Sequence, residues 1–245
     1  RKVNLYMEYN IVALDPSLIS TALVVGSGNY FKIYNYCRES TVFSKKGITK
    51  WFKMAEEFVN YKFINYRDYK DYSEGELVKL KDYDKVTDDI IDDILSNIDK
   101  SKPTKIGIEG YSFSSTAGDI IDLVTFSTLL RKKLFDKVSQ DITVLSPSTL
   151  KLESCKLTYP VTMTEIGKKK IRIKEEFRNR LGISGGKFTK TDMFMTIIEN
   201  DVMDDYWTTH CKLVVDDVLS VSTIKKPYED VNDAFLVYMV LKNQS

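Results

Sequence analysis

The chain has 245 residues, 43% of them hydrophobic and 29% charged, the balance of an ordinary globular protein and not of a disordered or fibrous one. No apolar run approaches the length of a membrane span, and a lone histidine excludes a multi-histidine metal site. The formal net charge of +1 conceals two opposite segments: residues 156–190 hold ten Lys/Arg against three Asp/Glu, whereas residues 65–100 hold eleven acids against six bases.

In chain order, "YNIVALD" is a nearly continuous apolar run closed by an acid, which predicts a buried central strand. "SLISTALVVGSGNYFKIYNYC" reads as two strands around a "GSGN" hairpin turn. Residues 50–64 look helical and aromatic-rich, and "YRDYKDYSEGELVKLKDYD" reads as an exposed excursion. "VTDDIIDDILSNIDK" has the spacing of an amphipathic helix, and "TKIGIEG" is a short strand ending in Glu109. "GDIIDLVTFSTLLRKKLFDK" is an apolar-striped helix, followed by the strand "DITVLSP". Three antiparallel strands followed by β-α-β crossovers imply an α/β domain with a mixed five-stranded sheet and helices on both faces. Segments near 65–83, 152–184 and 200–228 fit this plan poorly and read as insertions within one domain spanning 1–245.

The remaining residues bear on chemistry. Cys37, Cys155 and Cys211 are scattered and lack C-x-x-C pairing, which argues against a disulfide framework or zinc site and suits a reducing, cytoplasmic compartment. His210 lies in a polar, acidic stretch and reads as a surface residue. Asp15 and Glu109 each end a strand, where mixed α/β sheets expose functional groups. In "KKPYEDVNDAFLVYMVLK", Asp230 and Asp233 are three residues apart on one helical face at the mouth of an apolar helix. An N-cap and a first-turn acid would explain that pair alone. Four such carboxylates brought together repel unless divalent cations neutralise them, and oxygen ligands without His or Cys select Mg²⁺ or Mn²⁺. Two such ions about 4 Å apart are the apparatus of phosphodiester hydrolysis.

The order of these acids also resembles the RuvC family of Holliday junction resolvases, which has the RNase H fold. "ALDPSLISTALVV" is similar to that family's first strand and hairpin, and "IGIEGYSFSS" with the following helix to its glutamate strand, notably in bacteriophage versions. "LSPSTLK", "GGKFTKTDM" and "DVNDAFLVYMVL" resemble its later blocks in the same order. RNase H proper carries its glutamate on the helix before the fourth strand; here "DDIIDDIL" has none, although Asp92 or Asp93 could substitute. About thirty residues containing "KKKIRIK" separate two blocks that lie close together in the resolvases.

The resemblance implies a two-metal-ion endonuclease acting on branched DNA, with homodimerisation left open and the host cytoplasm as compartment if the source is viral. It assigns Asp15 to both ions, Glu109 to the ion near the leaving group, and Asp230 with Asp233 to the ion that activates water. Asp216, Asp217 and Glu229 compete for a ligand role. Phe113, then Tyr111, is the candidate aromatic wedge for the junction, although a core position under the loop would explain either. Lys187 and Lys190 would meet phosphates near the scissile bond, with Lys168, Lys169, Lys170, Arg172 and Lys174 as a wider basic track or simply a solvated face. Alternatives are a related nuclease for flaps, forks or RNA/DNA hybrids, or a non-catalytic nucleic-acid-binding module.

Overall fold

The first strand, β1 (Asn10–Asp15), is buried along almost its whole length, as its apolar run requires. A computed structural model of the chain describes residues 8–111, 117–158, 161–163, 171–173, 188–200 and 203–244. β2 (Ser20–Ser27) turns into β3 (Tyr30–Cys37) through two residues, with Gly28 at φ 62°, a left-handed position that glycine takes without strain. Beyond a short helix, α1 (Glu39–Val42), a small ribbon of β4 (Phe43–Ser44) and β5 (Gly47–Ile48), and α2 (Lys50–Ala55), β6 (Asn60–Phe63) pairs parallel to β3. Then follow α3 (Tyr72–Leu95), β7 (Thr104–Glu109), α4 (Ala117–Lys137) and β8 (Ile142–Leu145). The last part comprises α5 (Pro147–Thr158), a ribbon of β9 (Val161–Met163) and β10 (Ile171–Ile173), α6 (Lys190–Glu199), α7 (Tyr206–Leu213), α8 (Val215–Leu219) and α9 (Tyr228–Asn243).

The sheet order is β6-β3-β2-β1-β7-β8, with β1–β3 antiparallel and β7 and β8 parallel to β1. Alternate residues of each strand serve opposite faces. Val12, Leu14, Leu23, Ile106 and Ile108 pack with Ile90 and Ile94 of α3 and Phe126 and Leu130 of α4. Ile11, Ala13, Ala22 and Val24 pack instead under α9, which is itself wrapped by Phe194, Trp207 and Cys211 from later helices. That wrapping explains why α9 is apolar almost all round. Among the described residues, no helix is long and apolar enough to cross a membrane.

The structure corrects several expectations. The main sheet has six strands, not five: residues 50–64 form α2 and then the sixth strand, β6, whose mostly exposed edge shows no apolar alternation. The tyrosine-rich stretch is not an excursion throughout, because α3 begins at Tyr72. Its N-cap Asp71 accepts from the Glu74 amide at 2.9 Å, a D-x-x-E signal hidden among the polar residues. His210 is not on the surface. It is 5% exposed, its Nε2 lies 2.8 Å from the Tyr228 hydroxyl, and its ring stacks on Phe58 at 4.2 Å. Trp207, His210 and Cys211 share one helical face, and that face is buried. All three cysteines are free and buried.

Candidate metal centre

β1 and β7 are parallel neighbours in a register that pairs Leu14 with Ile108, so Asp15 and Glu109 leave the sheet side by side at its carboxyl edge. Parallel strands ending together are the place where an α/β sheet can gather functional groups. α9 lies across β1, β2 and β7 on the same side. Its approach depends on Gly107: a Cβ there would stand 2.4 Å from Val237 Cγ1 and 2.8 Å from Leu241 Cδ1, both on α9. The close helix brings Asp233 over the strand ends. One carboxylate oxygen from each of Asp15, Glu109 and Asp233 lies within 4.8 Å of the others. The cleft around them is also lined by Tyr111, Ser127, Lys190 and Asp230.

Neither aspartate of α9 caps it. The N-cap is Pro227, and both Asp230 and Asp233 are buried at 4% exposure. Asp230 stands outside the three-carboxylate cluster and is held by Lys226, whose Nζ donates to its two oxygens at 2.6 and 2.8 Å. Asp233 is held by the Lys190 ammonium. Lys190 is the first residue of α6, and its place is set by a capping box between Thr189 and Asp192.

The electrostatics follow from burial and crowding. Asp15 is pushed well above the usual carboxylate range by burial first, then by repulsion from Glu109, Asp233 and Asp230. Burial and the Asp233 charge push Glu109 up to about 7, with Lys190 opposing. Burial pushes Asp233 up to about 6 against the pull of Lys190. Asp230 is raised by burial, with Lys226 opposing. Burial alone would lower Lys190, but the surrounding carboxylates outweigh it and raise its pKa. Four carboxylates against two ammonium groups leave two negative charges when all are ionised, with Asp230 and Asp233 buried and Asp15 and Glu109 partly so.

A divalent cation matches that deficit, and an all-carboxylate donor set is of the hard-oxygen kind that takes Mg²⁺ or Mn²⁺. Two hydroxyls lining the cleft, those of Tyr111 and Ser127, are buried and have no partner among the described residues. Buried polar atoms are rarely left so, and both suit water or ligand oxygen in the cleft. The residues present therefore fit a hydrated divalent ion.

The other candidates are dispersed. Tyr111 borders the cleft, with the Arg131 guanidinium 4.9 Å from its ring centroid. Phe113, Lys168, Lys169, Lys170, Lys174 and Lys187 lie outside the described residues, and Arg172 is described only as a backbone position of β10 paired with Thr162. Asp217 is engaged by Lys50 at 2.6 Å, away from the cluster, and Asp216 is not part of it; Glu229 lines the cleft without joining the cluster. Asp93 accepts from the Tyr36 hydroxyl at 2.7 Å in a different cleft, which it lines with Asp92, so neither substitutes for Glu109. Sequence reasoning missed Lys226 and Ser127. It also missed Lys151 of α5, whose charge opposes the rise at Glu109.

No protein-family model matches the chain, and no curated protein matches it. Among solved structures, the chain is similar to a Thermus thermophilus RuvC in complex with a Holliday junction substrate, at 7% identity and a TM-score of 0.38, covering 95% of this chain and 91% of that one. A second Thermus thermophilus RuvC structure matches at 8% identity and 0.40, covering 94% and 92%. The yeast mitochondrial Holliday junction resolvase matches at 9% identity and 0.45, covering 99% and 82%. At such scores the likeness is distant. The description of this chain as a mixed α/β sheet with flanking helices and a partly buried three-carboxylate cluster rests on its own strand order and side chains.

Proposed function

We propose that this protein is a divalent-metal-dependent endonuclease of the RNase H-like, RuvC type, hydrolysing phosphodiester bonds in branched DNA. The observation that carries this reading is the convergence of Asp15, Glu109 and Asp233 from two parallel strand ends and one helix. These three residues would hold the ions, with Asp230 joining them when Lys226 is drawn away. When bound, a divalent ion supplies Lewis acidity toward the phosphate and acidifies water, so no histidine is needed as base. Lys190, fixed at the start of α6, holds Asp233 in place and presents positive charge where a phosphate would enter. Burial of Asp233 and Asp230 weakens the screening around them, which strengthens their interactions with nearby charges.

In this reading the chain is one nuclease domain carrying insertions, and a homodimer would pair two such sites on one junction. Tyr111 and Phe113 follow the glutamate strand and are the candidates for contact with unstacked bases. The lysines of 168–174 and Lys187 would supply backbone contacts.

The test is a cleavage assay on a four-way junction, a matching linear duplex, a flap and an RNA/DNA hybrid with Mg²⁺ or Mn²⁺. Wild type and Asp233→Asn are run side by side. Paired nicks confined to the junction and abolished in the variant are expected. Equal cutting of flaps or hybrids would keep the chemistry and change the substrate. Metal-dependent cutting of nothing would leave a binding module and overturn the proposal.

A further inference from the structure

A second groove, of about 560 Å³, opens beside the carboxylate cleft. Its walls are the start of α6, with Thr189, Lys190 and Thr191, and the loop before α9, with Ser222, Lys225 and Lys226. Lys190 and Glu229 line both spaces, so the groove leads directly to the carboxylates. Among the described residues that line it, three ammonium groups and several hydroxyls face a single carboxylate, that of Glu229. Among the described residues, no aromatic side chain lines the groove.

The lysines are not equivalent. Lys190 and Lys226 are tethered on their inner sides by buried Asp233 and Asp230, which fixes where their charges sit. Each ammonium has three donors, so tethering leaves capacity toward the groove. Lys225 is exposed, donates to Thr223 Oγ1 at 3.1 Å and has no carboxylate partner among the described residues. A row of ammonium and hydroxyl donors without a stacking surface is chemistry for backbone phosphates and not for bases.

We propose that this groove carries the backbone phosphates of the nucleic-acid strand entering the carboxylate cleft, with Lys225 as a direct phosphate contact and Lys226 and Lys190 along its inner border. This rests on the nuclease reading above and assigns the strand a path that reading does not contain. The groove contributes affinity that is independent of sequence and sensitive to salt. A phosphate reaching Lys226 competes with Asp230 for the same ammonium, which couples occupancy of the groove to release of the fourth carboxylate.

The experiment measures binding by fluorescence anisotropy in EDTA, so that neither metal nor cleavage enters. A labelled four-way junction and a duplex of the same sequence are titrated across a series of KCl concentrations. The proteins are wild type, Lys225→Ala, Lys225→Glu and, as a control on α4 across the sheet, Lys132→Ala. Neutralising Lys225 is expected to reduce the slope of log affinity against log salt by about 1, equally for all sequences. Charge reversal should reduce it further, and Lys132→Ala should leave it unchanged. Thermal melts of both Lys225 variants should match wild type, because the side chain is exposed. An unchanged slope in both Lys225 variants, or an equal loss in Lys132→Ala, would overturn the groove while leaving the nuclease reading intact. Failure of wild type to bind either DNA would overturn the groove, whereas the nuclease reading falls only if the cleavage assay with Mg²⁺ or Mn²⁺ also shows no cutting.

Discussion

Two clefts among the described residues are acidic, and they differ in how they concentrate charge. The "DDIIDD" run of α3 is the densest acidic stretch in the chain, yet helical spacing spreads its carboxylates along a solvated flank. Asp89 and Asp92 are exposed, and Asp93 is satisfied by the Tyr36 hydroxyl and by Lys62 at 3.3 Å. Asp15, Glu109 and Asp233 are separated by about a hundred residues each way, yet they meet within 4.8 Å, Asp233 buried and the other two partly so. Acid density along a chain measures solvation; convergence from strand ends measures a site. The cost of the convergent arrangement, shown by Glu109 pushed up to about 7 and Asp233 to about 6, is what makes a divalent cation welcome there.

The comparison breaks if the two clefts respond alike to the loss of one charge. Asp15→Asn is expected to reduce metal-dependent cleavage by roughly 10²–10³-fold, the scale of removing one charge-stabilising group at a reacting centre. Asp93→Asn should leave the rate unchanged and cost only about 1 kcal/mol of stability through its weakened bond to Tyr36. Parallel rate assays and denaturant melts decide. Comparable rate losses in both variants would mean that the α3 cleft takes part in the chemistry.

A smaller effect sharpens the packing side of the same contrast. Gly107→Ala adds a single methyl group beneath α9, where Val237 and Leu241 leave no room. Overpacking of this kind costs about 1–3 kcal/mol, read as a fall of about 2–4 °C in Tm for each kcal/mol in a chain of this size. Since α9 carries Asp233, the variant should also lose divalent-ion affinity by calorimetric titration. A variant of lowered Tm and unaltered ion affinity would show that the position of Asp233 tolerates movement of its helix.

How much of this was legible beforehand follows from what each residue depends on. Asp15 and Glu109 were readable because an apolar run that stops at an acid is a local signal, and parallel pairing of β1 with β7 does the rest. Asp233 was readable through its spacing from Asp230. The separation of those two aspartates was not, because Lys226 lies before Pro227 and its reach to Asp230 depends on the path of the loop. Ser127 carries no signal beyond its place on an amphipathic helix. β6 was lost in an aromatic stretch whose strand is an edge and mostly exposed. His210 was misjudged from the polarity of its neighbours, although the spacing from Trp207 to Cys211 already pointed inward.

The finest distinction between the clefts is their response to pH in the absence of metal. Glu109 and Asp233 titrate higher in the folded protein than in the unfolded chain, where they return to about 4.5 and 3.8. The folded state therefore binds more protons through this window, and stability falls as pH rises from about 4 to about 7. His210 acts with the opposite sign, since burial lowers its pKa and the unfolded state takes up the proton first. The carboxylate contribution is isolated by comparing wild type with Glu109→Gln, each in EDTA, by thermal melts at pH 5 and pH 7. Wild type should lose on the order of 1 kcal/mol relative to the variant over that interval, a difference of about 2–4 °C in Tm. Saturating Mg²⁺ or Mn²⁺ should reverse the trend in wild type, because ions displace protons more readily as pH rises. If Glu109→Gln kept the wild-type pH dependence, neither burial nor the Asp233 charge would be holding Glu109 above its unfolded value, and the contrast between the two clefts would fail.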